Sequence, residues 1–88
     1  MKETRFKKEG NEYILVENKS RTFTSYSLFI ELEGKRIPLI TYTTYQDDKA
    51  DTIHKSALYR KDQIRTNHLL QISKSDFKYK CDNGLLDF

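Results

Sequence analysis

The sequence predicts a mostly β fold of the α+β class. The expected form is a small, strongly bent antiparallel sheet or SH3-like barrel of five to six strands, with one short helix or long loop after the fourth strand. Three observations predict it. The first half holds two stretches of alternating apolar and polar residues, each split by a glycine-containing pair at hairpin spacing. Tyrosine and phenylalanine, good strand formers, number 6 and 5. The 88 residues include one proline and three glycines, with no repeat and no low-complexity linker. Residues 1–88 are therefore expected to form a single domain.

The first hairpin spans 3–17 and is split by Gly10-Asn11, a pair suited to a two-residue turn with positive φ. This register sets Phe6 opposite Leu15 and Lys8 opposite Tyr13 on one face. Arg5 then faces Val16, and Lys7 faces Ile14, on the other. Glu9 falls against Glu12, a small like-charge cost.

The second hairpin pairs 22–33 with 36–46 around Gly34-Lys35. Glu33 faces Arg36 beside the turn. Leu32, Ile30, Leu28 and Tyr26 face Ile37, Leu39, Thr41 and Thr43 on one side, because strand side chains alternate. The reverse side carries Phe29, Ile40 and Tyr42 among Ser25, Ser27, Glu31, Pro38 and Thr44. That side is apolar enough to need cover from a helix, the tail, a second subunit or a partner. Pro38 has no N–H to give a ladder, so it belongs at solvent or at a bulge.

Asp47-Asp48-Lys49 interrupts the pattern. Residues 48–61 read as a helix capped by Asp47 or Asp48, with Ala50, Ile53, Ala57 and Leu58 near one face. A strand beginning near Ser56 is the competing reading. Ile64, Leu69, Leu70 and Ile72 mark a buried strand over 64–72. Ser73-Lys74-Ser75-Asp76 reads as a turn. Phe77-Lys78-Tyr79-Lys80-Cys81 alternates as a strand with Phe77, Tyr79 and Cys81 inward, ended by Asn83-Gly84. The tail Leu85-Leu86-Asp87-Phe88 closes the core. Its competing reading is a docking tail, because it resembles the Leu-x-Phe ends by which replication proteins hold sliding clamps.

Composition excludes several classes. No stretch is apolar for the roughly 18 residues a membrane helix requires. The start, Met1-Lys2-Glu3-Thr4-Arg5, lacks the apolar core of a secretory signal. Cys81 is the single cysteine, so no internal disulfide forms and a reduced, cytoplasmic setting is expected. A covalent dimer through Cys81 is the lesser alternative. Cys81, His54 and His68 have no paired ligand spacing, so neither metal nor cofactor is expected. Sixteen Lys and Arg against 13 Asp and Glu leave a net charge of +3. No more than two basic residues are adjacent, so the chain shows no linear nucleic-acid footprint.

Candidate functional residues are few. His54 and His68 are the side chains suited to acid–base work near neutral pH, and a surface or capping role serves them equally. In the stripe Thr41-Tyr42-Thr43-Thr44-Tyr45, Tyr42 and Tyr45 could stack bases. Arg5, Lys7, Lys8, Lys35 and Arg36 would then hold phosphates. The same residues suit strands, and tyrosine and arginine also anchor protein contacts.

The segment Ser56-Ala57-Leu58-Tyr59-Arg60-Lys61-Asp62-Gln63-Ile64-Arg65-Thr66 resembles part of the MazF/PemK toxin family. Gln63-Ile64-Arg65-Thr66 carries the match. The resemblance implies a small SH3-like barrel, a strand over 56–66 and endoribonuclease activity. Arg36 would stabilise the phosphate, and Thr41 or Thr43 would assist attack by the ribose 2′-hydroxyl. The Gly-rich stretch that precedes the arginine in that family is absent.

The leading expectation is a non-enzymatic binding protein. It would inhibit or regulate a larger host or defence protein, or a nucleoprotein complex, by occupying its surface through Phe29, Arg36, Ile40, Tyr42, Tyr45, Arg5 and Lys7. Usage rich in Lys, Asn, Ile and Tyr associates with low-GC bacteria and their phages, which points to an anti-defence or host-takeover role. The alternatives are a toxin-like endoribonuclease and a β module binding RNA or DNA. A second copy of the chain is a further candidate partner.

Overall fold

The structure, a computed structural model, describes residues 1–46, 52–59 and 64–88. Six strands run in chain order: β1 (Lys2–Lys8), β2 (Asn11–Lys19), β3 (Phe23–Leu32), β4 (Lys35–Tyr45), β5 (Thr52–Tyr59) and β6 (Ile64–Gln71). They form one antiparallel sheet in the order β1-β2-β3-β4-β5-β6, followed by helix α1 (Lys74–Asp82). The mostly β fold class is thus the predicted one. The sheet stays open, with β1 and β6 at its edges.

Both hairpins turn one residue earlier than their glycines first suggest. Lys8 pairs with Asn11, and Leu32 with Lys35. The turn centres are Glu9-Gly10 (φ 52 and 82) and Glu33-Gly34 (φ 51 and 77). Positive φ at both centres is the primed geometry that matches strand twist, with glycine second. Phe6 therefore meets Tyr13, and Arg5 meets Ile14. Glu9 does not face Glu12, and Arg36 faces Glu31 instead of Glu33.

The larger departure is a bulge. Phe29 pairs with Pro38 but Leu28 pairs with Ile40, leaving Leu39 extra. Pro38 cannot donate to a ladder, and the irregularity falls on it as expected. Beyond the bulge the alternation is inverted. Tyr42 comes opposite Tyr26, and Thr41 opposite Ser27. Ile40 and Tyr42 therefore join the core side in place of Thr41 and Thr43.

β5 occupies part of the span predicted as helix. It pairs with β4 from Ile40↔Ala57 to Thr43↔His54, and with β6 along its whole length. Thr52 and Ile53 are β-branched, and Ile53 is fully buried in the core. The proposed caps Asp47 and Asp48, and Ala50, lie outside the described residues.

The helix lies instead at 74–82, where a turn over 73–76 and a strand over 77–81 were expected. Ser73 caps it, its hydroxyl accepting from the Asp76 N–H at 3.1 Å. Phe77 and Cys81 are buried, and Tyr79 is 62% exposed. Spacings of four and two separate the two readings here, since i and i+4 share a helix face while i+2 does not. After Asn83, Gly84 takes φ 67 and Leu85 N–H returns to the Lys80 carbonyl at 2.8 Å.

The helix packs on one face of the sheet. Its Phe77 ring lies 5.2 Å from Tyr26 and 5.1 Å from Tyr42. Tyr13, Leu15, Leu28, Ile53, Cys81 and Leu86 complete the buried cluster. The tail closes it: Phe88 meets Tyr13 edge-on at 4.8 Å and Phe6 at 6.2 Å. Lys8 Nζ stands 4.3 Å over the Phe88 ring. The tail is therefore core, not a free docking end.

Candidate functional site

The face opposite the helix is built by cross-strand rows. Phe23 pairs with Tyr45. Ser25, Thr43, His54 and Leu69 follow in the next row, and Ser27, Thr41 and Ser56 in the one after. Phe29 and Pro38 lie beyond, beside Ile14. Because direct partners share a face, these residues form one surface.

Its two ends differ. At the β1–β4 end the sheet curls over itself. Ile14 and Val16 are 0% and 7% exposed although the helix lies on the other side. Above them Arg5 Nη1 donates to Glu31 Oε2 at 2.9 Å and Glu12 Oε1 at 3.2 Å, and Arg36 Nη1 donates to Glu3 Oε1. β1 and β4 would stand about 14 Å apart in a flat sheet. The Arg36–Glu3 contact thus records strong bending. The Arg36 hydrogen bond holds the Glu3 carboxyl below its ordinary range, and Glu31 and Glu12 hold Arg5 more firmly protonated.

The other end is apolar and open. Tyr45 is 45% exposed and Leu69 is 60% exposed. The Tyr45 ring stands edge-on to His54 at 5.1 Å and tilted to Phe23 at 6.4 Å. The Lys74 ammonium donates to the Tyr45 carbonyl at 3.0 Å, tying the helix start to the end of β4. Tyr45, His54, Phe23 and Leu69 thus form an aromatic and aliphatic cluster beside a strip of small hydroxyl side chains.

The residues expected to bind do not all meet. Arg5, Lys7, Phe29, Arg36 and Tyr45 lie on the helix-free face. Within it, Tyr45 is at the open end and both arginines are at the curled end. Ile40 packs against the core, and Tyr42 is fully buried under Phe77. Burial pushes the Tyr42 phenol far up, and its hydroxyl has no hydrogen-bond partner among the described residues. The bulge at Pro38 causes this separation. Phe23 and Leu69 were absent from the expected set, and His54 was expected only in an acid–base or capping role. Phe23 meets Tyr45 only when the turn position and the extra residue Leu39 are both known, whereas the place of His54 on this face was obscured by the helical reading of 48–61.

Among the toxin-like residues, Arg36 and Thr41 share β4 and the helix-free face, with Thr41 between Ser27 and Ser56. Arg36 is held by Glu3. Of the matched segment, residues 60–63 lie outside the described residues, as does the His68 side chain. Among the described residues no group of three His, Cys, Asp or Glu side chains stands in a metal-binding arrangement. Cys81 is buried, and its thiol is pushed up to about 12 by that burial. It is therefore poorly placed for the covalent dimer considered above. Among the described residues no helix is long and apolar enough to cross a membrane. Comparison with family models, curated proteins and solved structures gives no significant match.

Proposed function

We propose that the protein is a non-enzymatic binding module that occupies the surface of a larger protein or nucleoprotein through the open end of its helix-free face. The observation that carries this reading is the exposure of Tyr45 and Leu69 beside half-buried His54 and Phe23. Tyrosine supplies large contact area at low conformational cost, which suits it to the centre of a protein contact. Regulation or inhibition follows from occupancy: a rigid sheet face covers a site without any bond being made or broken.

Charge supports a protein surface over a nucleic acid. The arginines best placed for phosphates already hold carboxylates, and an incoming phosphate would have to displace Glu3, Glu12 and Glu31. A nucleic-acid module would bind RNA or DNA with affinity falling steeply as salt rises. The present reading predicts no such salt-dependent binding.

The test is affinity capture from host extract, quantified for the wild type and for Tyr45→Ala, Leu69→Asp and Arg36→Ala. One large partner is expected, lost in the first two variants and retained with Arg36→Ala. A partner lost with Arg36→Ala but kept by the Tyr45 and Leu69 variants would contradict the assignment. RNA cleavage that depends on Arg36 and Thr41 would replace it with the toxin reading.

A further inference from the structure

We infer that β6 is a dimerisation edge, at which a second copy of the chain extends the sheet antiparallel across a twofold axis normal to it. β6 pairs with β5 on one side, and no other strand of the described residues pairs with its outer side. An edge strand directs every second pair of N–H and C=O groups outward, ready for another strand.

The two edges of this sheet are protected very differently. β1, Lys-Glu-Thr-Arg-Phe-Lys-Lys, carries a charge on five of its seven residues. β6, Ile-Arg-Thr-Asn-His-Leu-Leu-Gln, carries one formal charge, Arg65, on eight residues and contains no proline. Lysine and proline are the common guards against edge pairing. β1 is guarded and β6 is not. Leu69, at this edge, is also among the most exposed large apolar side chains of the described residues.

Charge and symmetry select the occupant. A twofold axis normal to the sheet pairs residues of equal parity, so each face stays continuous across the junction. Centred on Asn67, the register sets Ile64 opposite the partner's Leu70, Arg65 opposite the partner's Leu69 and Thr66 opposite the partner's His68. No like formal charges oppose one another. The same operation on β1, centred on Arg5, would set arginine against arginine and Lys2 against Lys8. Pairing β6 with β1 of another copy is heterologous and builds a ring or an open filament, not a twofold dimer. The β6–β6 pair is closed, avoids like charge and needs no other protein. It also places both helices on one side and both Tyr45–Leu69 clusters on the other. It stands independently of the docking function proposed above.

Sedimentation of the full chain from micromolar to submillimolar concentration tests this, together with hydrogen exchange on the dimer. Twice the 10.5 kDa chain mass is expected, with the β6 amides protected. Asn67→Lys with Leu69→Lys should keep the far-ultraviolet circular dichroism and weaken the dimer at least about tenfold. A monomer at every concentration overturns the inference. So does a dimer whose β6 amides exchange freely, or one that the double variant leaves intact. If the variant fails to fold, wild-type exchange decides the matter.

Discussion

Gly84 illustrates how much a single position carries. It ends α1 at φ 67, and a Cβ built there would stand 3.0 Å from Phe6 Cβ. Left-handed backbone and close approach coincide, at the point where the tail turns back over β1. Gly34 has a similar φ of 77, but a Cβ there would meet nothing within 4 Å. Gly84→Ala should therefore cost about 1–3 kcal/mol, and Gly34→Ala distinctly less, by urea unfolding. Equal losses would show that φ alone matters and that the approach to Phe6 does not. Asn83-Gly84 as a stop was legible in the chain, because this pair favours positive φ. The contact with Phe6, 78 residues away, was not, since local pattern carries no information about distant packing.

At the scale of elements, legibility depended on whether period and turn chemistry agreed. The first four strands were visible because alternation and glycine coincided. Their registers were misplaced because Glu-Gly, not glycine with its successor, forms each turn. Pro38 signalled a bulge, yet its consequence, the inversion of Tyr42, needs the bulge placed to the residue. Phe77 and Cys81 fit both periods, and the N-cap at Ser73 decides for helix. The same helix is tied to β1 by charge. Asp82 accepts from Lys2 at 2.8 Å and lies 3.3 Å from Lys78. Its hydrogen bond from Lys2, with that from Lys78, holds its carboxyl below the ordinary carboxylate range. A carboxyl depressed on folding stabilises above its unfolded pKa, and that contribution fades as pH falls through the lower folded value. Urea midpoints should therefore drop below about pH 4, and the drop should be smaller in Asp82→Asn. An identical acid profile in the two proteins would remove Asp82 from the account.

For the whole molecule, the sheet has two differently used faces. One is closed by α1 and the tail, and the curled end of the other is closed by ion pairs between strands that are not neighbours. That curl explains how a small polar chain buries Ile14 and Val16 without a second layer. It leaves the exposed Tyr45 and Leu69 at the open end, which is where the docking function is proposed. The Arg36–Glu3 pair could not be foreseen from the sequence, because three strand spacings separate the residues until the sheet bends. The expectation that Phe29, Ile40 and Tyr42 share an outward face failed for a local reason with a long reach: one extra residue, Leu39 beside Pro38, changed which side the rest of β4 presents.

Everything proposed for the open end depends on that sorting of β4, with Tyr42 inward and Tyr45 outward. Nitration of native tyrosines by tetranitromethane, mapped by mass spectrometry, tests it most directly. Tyr45 and Tyr79 should be modified while Tyr13, Tyr26 and Tyr42 stay protected until the chain is unfolded. Rapid modification of Tyr42 with Tyr45 protected in the native protein would invert β4 and contradict the account.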